Sequence, residues 1–130
     1  ADVVDVVHVI VRDFEALLGA CDAVLNLRYP SRMQMSAVLV RALATGAPVA
    51  ITDLPEWGFL PDEACERVPA GVGEVDALAE FLGRLRSNPE ERARRGDAAR
   101  KWYVGNATLD VMASNYLAFS RELAGRPPEG

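Results

Sequence analysis

The sequence predicts an α/β fold, in which a parallel sheet carries helices on its faces. Strand-like and helix-like segments alternate through the first half of the 130 residues, a pattern typical of parallel sheets. The second half is rich in helix, with two apolar stripes at helical spacing and a highly charged segment between them. The length is that of one domain with a single core.

Residues 3–11 begin the alternation, and most of them are β-branched, which predicts a strand that is buried on both faces. Asp13 is the expected cap of a short helix. The apolar residues at helical spacing behind it are Phe14, Leu17, Leu18 and Cys21. Residues 23–27 predict a second, short strand.

The next predicted helix has a clear start and end. Ser31 is its expected N-cap, with Gln34 three residues later as in a capping box, and Gly46 and Pro48 end it. Its apolar face should contain Met35, Val38, Leu39, Ala42 and Leu43. Val49–Thr52 predicts a third strand and residues 65–68 a fourth, joined by a surface loop over 53–63 that has room for a short helix.

Three helices are expected in the second half. The first has an apolar stripe made of Leu78, Phe81, Leu82 and Leu85. Asn88 caps the second, with Pro89 at its first position, and the charges from Arg92 to Trp102 predict a mostly solvated face. The third helix has the second apolar stripe, made of Leu109, Met112, Ala113, Tyr116 and Leu117. Residues 125–130 are expected to form a flexible tail.

Composition excludes several classes of protein. The formal net charge is −5, and the basic residues lie beside carboxylates, whereas a nucleic-acid module usually has a basic face. Cys21 and Cys65 match no zinc or redox motif, which predicts two reduced, partly buried thiols. There is no secretory start and no apolar run of roughly 18 residues, so we expect a cytoplasmic protein without a transmembrane segment.

The strongest candidate site is the loop over residues 28–36, at the carboxyl end of a predicted strand, where ligands bind in open parallel sheets. The first amides of a helix lack internal acceptors and lie at the positive end of its dipole, so they can bind a diphosphate. We expect this of the amides of Met33, Gln34, Met35 and Ser36, helped by the Ser31 and Ser36 hydroxyls and by the charges of Arg28 and Arg32. An ordinary capped helix without a ligand accounts for the same residues.

Other candidates favour structural roles. His8 lies inside a predicted strand, as core or edge histidines do, and the carboxylates of Asp53, Glu56, Asp62 and Glu63 belong to a surface loop. Trp57 and Phe59 could stack on a base or sugar, but the simpler expectation is that they close the core or meet another domain. The arginines at 92, 94 and 95 are balanced by Glu90, Glu91 and Asp97, which predicts a salt-bridged helix face.

Several motifs follow one another in a recognisable order. They are ACDAVLNL at 20–27, RALATGAPV at 41–49 with Thr52-Asp53 behind it, VPAG at 68–71, DALA at 76–79, NPEER at 88–92 and GDAAR at 96–100. Together they resemble the C-terminal domain of glycosyltransferases of the GT-B fold. The similarity is greatest to the large bacterial group that includes retaining sucrose-synthase-like and mannosyl-transferring enzymes. It runs from about residue 4 to residue 123.

This resemblance implies a Rossmann-like nucleotide-sugar-binding domain over residues 1–124, an incomplete GT-B C-terminal domain. In the family, the loop matching residues 29–36 meets the diphosphate and the donor sugar. The position matching Arg41 often carries a glutamate that bonds the ribose. Arg28-Tyr29-Pro30 matches one subgroup, whose acidic residue falls at Gln34. Met33, Gln34, Arg41 and Phe59 depart from the residues that family members carry at these positions.

Family domains begin with two further strand–helix units, which implies that the natural protein is longer or that this piece pairs with a second copy. The isolated chain is then expected to be an inactive part of a glycosyltransferase, with a nucleotide sugar as substrate and without a cofactor or an obligatory metal. No catalytic residue is identified. A non-catalytic interaction module on the same scaffold and a nucleotide-sugar epimerase remain alternatives.

Overall fold

A computed structural model describes residues 11–30 and 36–125 of the chain. The elements in chain order are α1 (Val11–Ala20), β1 (Val24–Asn26), α2 (Ala37–Thr45), β2 (Val49–Thr52), a 3₁₀ turn (Pro55–Trp57), β3 (Glu66–Val68), α3 (Glu74–Ser87), α4 (Pro89–Asn106) and α5 (Leu109–Ala124). The described strands form a parallel sheet in the order β1-β2-β3. The predicted α/β class, with a parallel sheet and flanking helices, is therefore confirmed.

Strand β2 is the central strand of the sheet. Its residues are all buried, as expected for a short apolar strand with a parallel neighbour on each side. Val24 pairs with Val49 on one side, and Thr52 pairs with Val68 on the other. Because side chains alternate along a strand, Val49 and Ile51 enter one apolar cluster and Ala50 enters another.

Helices cover both faces of this sheet. On one face, α2 contacts both α1 and α4, and Leu39, Leu43 and Ala99 are buried with Val49 and Ile51. On the other face, α3 buries Phe81 and Leu85 against Ala50 and Val68. Of the predicted α3 stripe, Leu82 is exposed while Phe81 and Leu85 are buried. The result is a three-layer arrangement of the kind that βαβ connections produce.

The start of α2 differs from the prediction. Its N-cap is Ser36, whose Oγ accepts the amide of Leu39 at 3.2 Å, so the expected cap at Ser31 is wrong. Gln34 therefore does not stand at the third helical position. The predicted end is confirmed, because Gly46 adopts φ +76°, a left-handed conformation that glycine adopts without steric cost.

The first predicted strand also needs correction at its end, since Val11 lies in α1. Asp13 is inside this helix and not at its cap. The rest of that predicted strand, including His8, falls outside the described residues. Cys65 is buried as a reduced thiol, but Cys21 is exposed and not partly buried.

Helix α4 is mostly solvated, as predicted, but it is packed in its middle. Gly96 and Ala99 are buried there, and an added Cβ on Gly96 would collide with the carbonyl oxygen of Gly46. Helix α4 and the end of α2 approach so closely because neither Gly96 nor Gly46 has a side chain at the crossing. α4 is thus a packed helix with a charged outer face. Its predicted cap is confirmed, with the Glu91 amide donating to Asn88 Oδ1 at 3.0 Å and Pro89 in the first turn.

Helix α5 forms as predicted, but it is not packed. Among its described residues none is buried, although it contains many large apolar side chains. It contacts α4, the helix before it. The predicted tail beyond Gly125 lies outside the described residues.

Candidate functional site

The carboxyl ends of β1 and β2 meet at one edge of the sheet. Asn26 is the last residue of β1 and pairs with Ile51, so the residues that follow each strand lie side by side. The amide of Arg28 donates to the buried Thr52 Oγ1 at 2.8 Å. This bond anchors the beginning of the candidate loop to the end of β2.

Asn26 and Ser36 join the end of β1 to the start of α2. Ser36 is buried, and its hydroxyl donates to Asn26 Oδ1 at 3.1 Å while it accepts the amide of Leu39. The Asn26 Nδ2 atom is buried and has no hydrogen-bond acceptor among the described residues. A buried amide donor without an acceptor costs about 1–3 kcal/mol, so such a group marks a place that an additional acceptor would fit.

The first turn of α2 supplies main-chain donors at the same edge. Because Ser36 Oγ accepts the amide of Leu39, the amides of Ala37 and Val38 are the first-turn donors that no helical carbonyl can accept. Both residues are exposed. The helix therefore begins later than predicted. Its first-turn amides without a helical acceptor are those of Ala37 and Val38, and not those of Met33, Gln34 and Met35.

The predicted site residues separate into three groups. Arg28, Tyr29 and Ser36 lie at the carboxyl edge, with Arg28 and Tyr29 exposed and the Tyr29–Pro30 peptide bond cis. Arg41 lies further along α2, where its Nε is 3.8 Å from Glu15 Oε1 of α1. Ser31, Arg32, Met33, Gln34 and Met35 fall outside the described residues.

Arg67 of β3 organises the loop that follows β2. Its guanidinium donates to the carbonyls of Trp57 (3.1 Å) and Leu60 (2.9 Å) and to Asp62 Oδ1 (2.8 Å). The hydrogen bond to Asp62 raises the pKa of Arg67 above its ordinary value. A second carboxylate, Asp53, lies 3.5 Å from the same guanidinium. Two of the four acidic loop residues are thus held by an arginine and are not simply solvated.

The aromatic residues of this loop have different surroundings. Trp57 is buried in the core, which confirms the expectation that it closes the core. Phe59 is half exposed, and its ring centroid lies 5.9 Å from that of Trp102 on α4. A groove of about 540 Å³ runs beside them, with Pro61 and Glu63 among the residues of its wall.

The buried thiol of Cys65 is not a nucleophile. Burial raises the pKa of Cys65 to about 11, so the thiol stays protonated at neutral pH. Within the described ranges, no group of three histidine, cysteine or carboxylate side chains is placed to hold a metal ion. The helices in those ranges include none with the length and apolar character needed to cross a membrane.

Sequence reasoning missed Asn26, Thr52 and Arg67. Each is an ordinary residue in an ordinary segment, and its importance comes from a partner 10 or more residues away, such as Ser36 for Asn26 or Arg28 for Thr52. A polar residue at the end of an apolar strand was the available signal for Asn26 and Thr52.

No protein-family model, curated protein or solved structure matches this chain.

Proposed function

We propose that this chain is the donor-binding part of a glycosyltransferase and that it binds the diphosphate of a nucleotide sugar at the carboxyl edge of β1 and β2. The single observation that carries the proposal is the buried Asn26 amide, which lacks an acceptor among the described residues and lies beside the start of α2. The order of motifs along the chain supplies the identity of the ligand.

The donors at this edge suit a diphosphate. The hydrogen-bond donors here are the Asn26 Nδ2 group, the amides of Ala37 and Val38, and the guanidinium of the exposed residue Arg28. The dipole of α2 adds partial positive charge. An anion that approaches the start of α2 would meet main-chain and side-chain donors together.

In glycosyl transfer, such a cluster of donors would stabilise the diphosphate as it leaves the sugar. When the bond between the sugar and the diphosphate breaks, negative charge grows on the leaving phosphate oxygen. Preorganised donors that bind this charge more strongly in the transition state than in the ground state accelerate the reaction. The acceptor and a general base would come from another part of the enzyme.

The test is calorimetric titration of the natural protein that contains this chain. UDP, GDP, ADP, CDP and TDP are titrated in turn, followed by the glucose and mannose derivatives of the base that binds. We expect micromolar binding of one diphosphate. Arg28→Ala should weaken that binding about tenfold, which corresponds to about 1.4 kcal/mol for one charged contact.

Asn26→Asp is the sharper variant, because it keeps the shape of the side chain and its bond from Ser36 while it replaces the amide donor by a carboxylate. We expect it to abolish diphosphate binding. The matched control is Arg86→Ala, an exposed arginine near the end of α3, which should bind as the unmodified protein does. Silence with all five diphosphates, or equal effects of Arg28→Ala and Arg86→Ala, would refute the proposal.

A second candidate function is a non-catalytic interaction module on the same scaffold. The exposed apolar surface of α5 favours it, because apolar surface of this extent is typical of contact with another protein. Silence in the titrations together with specific association through α5 would support this alternative.

A further inference from the structure

Among the described residues, α5 has more exposed large apolar side chains than any other helix or strand. Its side chains leave large fractions of their surface in solvent, among them Leu109 (81%), Tyr116 (71%), Phe119 (57%) and Leu123 (48%). Single exposed apolar residues are normal, but a continuous stripe on one helix is typical of an interface.

The spacing of this stripe is that of a coiled coil. Leu109, Met112, Tyr116, Phe119 and Leu123 follow one another at alternating intervals of three and four residues. If Leu109 is an a position, this spacing places an apolar residue at every a and d position over two heptads. The matching partner for such a seam is another helix with the same spacing.

The surface of α5 also has the shape that a helical partner needs. Met112, Asn115, Tyr116 and Phe119 line a concavity of about 290 Å³ on one side of the helix. Residues at i, i+3, i+4 and i+7 form the four corners of one hole in knobs-into-holes packing. A side chain from a facing helix can enter this hole.

The residues beside the seam allow two copies of α5 to meet. Four residues of α5 occupy flanking e and g positions. Ala113, Asn115 and Ser120 carry no charge, and the fourth, Glu122, lies at the C-terminal end of the seam. Asp110 and Arg121 lie at b and f positions, away from the seam. Two chains of net charge −5 can therefore approach through this face without repulsion between like charges at its centre.

The available area is sufficient for a weak dimer. Each seam side chain is at least 46% exposed, which corresponds to about 100 Å² per side chain. Five side chains from each of two copies would remove about 1,000 Å² from water, near the lower limit for a specific interface.

We propose that α5 is a self-association surface, through which two copies of this chain pair as a two-helix coiled coil. A seam of only two heptads predicts a dissociation constant in the micromolar range and not a permanent dimer. This inference concerns α5 alone and does not depend on the proposed donor site.

Sedimentation equilibrium of the 130-residue chain tests it, over concentrations from about 5 to about 500 μM, which bracket a micromolar dissociation constant. We expect the average mass to rise from 14.1 kDa towards twice that value as concentration increases. Tyr116→Glu places a charge in the seam and should raise the dissociation constant at least tenfold. Circular dichroism should show that this variant keeps its helices, because Tyr116 is exposed.

Leu117→Glu is the matched control, since Leu117 is equally apolar and 57% exposed on the same helix but lies at a b position, outside the seam. It should leave the dissociation constant within about twofold, as should Val72→Glu in an exposed turn. A chain that remains monomeric at the highest concentration, as it would if α5 covers another part of a longer protein instead, overturns the proposal. So does dissociation by Leu117→Glu to the same degree as by Tyr116→Glu.

Discussion

Helices α4 and α5 are neighbours of similar length with opposite relations to the core. Eight of the 18 residues of α4 are charged, against three of the 16 residues of α5. The charged helix is nevertheless the packed one, with Gly96 and Ala99 buried, whereas none of the described residues of α5 is buried. Apolar content alone therefore does not decide which helix joins the core.

Two features let α4 pack despite its charges. Gly96 faces Gly46, so the backbones of α4 and α2 approach closely. The charged side chains where α4 meets β3 and α3, which we call the ionic rim, are paired. Glu66 Oε1 lies 2.8 Å from Arg84 Nη2, and Glu66 Oε2 lies 2.6 Å from Arg95 Nη2. Arg95 also lies 5.7 Å from the centre of the Phe81 ring. Helix α5 has more apolar surface but no described surface against which to place it.

The largest effect is expected at the glycine crossing. Gly96→Ala puts a methyl group against the Gly46 carbonyl, a backbone atom that cannot turn aside, and should lower the free energy of unfolding by about 3 kcal/mol. Urea denaturation measures this change. Gly105→Ala in the same helix has open space at its Cβ and should instead stabilise the protein by about 0.5–1 kcal/mol. Equal effects of the two variants would show that the close approach of α2 and α4 contributes nothing.

A smaller effect is expected from the ionic rim. Glu66→Gln leaves Arg84 and Arg95 without the carboxylate that joins them, and should lower the free energy of unfolding by about 2 kcal/mol. The control is Glu80→Gln, because Glu80 contacts Arg84 as an exposed i,i+4 pair whose loss costs less than about 0.5 kcal/mol. Both variants are measured by urea denaturation. A larger loss for Glu66→Gln shows that the ion pairs between β3 and the helices contribute to the free energy of unfolding, whereas equal losses show an effect of removing one negative charge.

The rim also predicts a dependence on pH. A hydrogen bond from Arg95 lowers the pKa of Glu91 below its ordinary 4.5. A carboxyl group whose pKa is lower in the folded state stabilises the fold above pH 4.5, and this contribution is lost as the pH falls through the folded pKa. Urea denaturation between pH 7 and pH 2.5 should show a steeper acid loss in the unmodified chain than in Glu91→Gln. Parallel curves would assign the acid loss to other carboxylates.

The smallest effect is expected on α5. Tyr116→Ser, measured by urea denaturation at low micromolar concentration, should change the free energy of unfolding by less than about 0.5 kcal/mol, because Tyr116 is 71% exposed. The same replacement of Tyr103 on α4, which packs against the main core cluster, should cost about 2 kcal/mol. If Tyr116→Ser costs as much as Tyr103→Ser, α5 is packed and the contrast between the two helices is wrong.

The comparison also explains which predictions from the sequence held. The end of α2 at Gly46 and the start of α4 at Asn88 were predictable, because a left-handed glycine and a capping asparagine act on their own neighbours. The start of α2 was not, since Ser31 and Ser36 are both acceptable caps. Ser36 is distinguished by its hydrogen bond to Asn26, ten residues away on β1.

The candidate site shows the same division. Arg28, Tyr29 and Ser36 were predicted because the loop between a strand and a helix is a local feature. The unpaired amide of Asn26 and the bond from Arg28 to Thr52 depend on which strands become neighbours, and no local rule contains that choice.

The sequence by itself determined the α/β class, the parallel strands, the end of α2 at Gly46 and the start of α4 at Asn88, because periodicity and capping act over a few residues. Only the tertiary structure decided that a charged helix is packed, that an apolar helix is exposed and that Asn26 joins Ser36 at the edge of the sheet. Burial and pairing depend on distant segments that the chain brings together, and their energies appear only when both partners are in place.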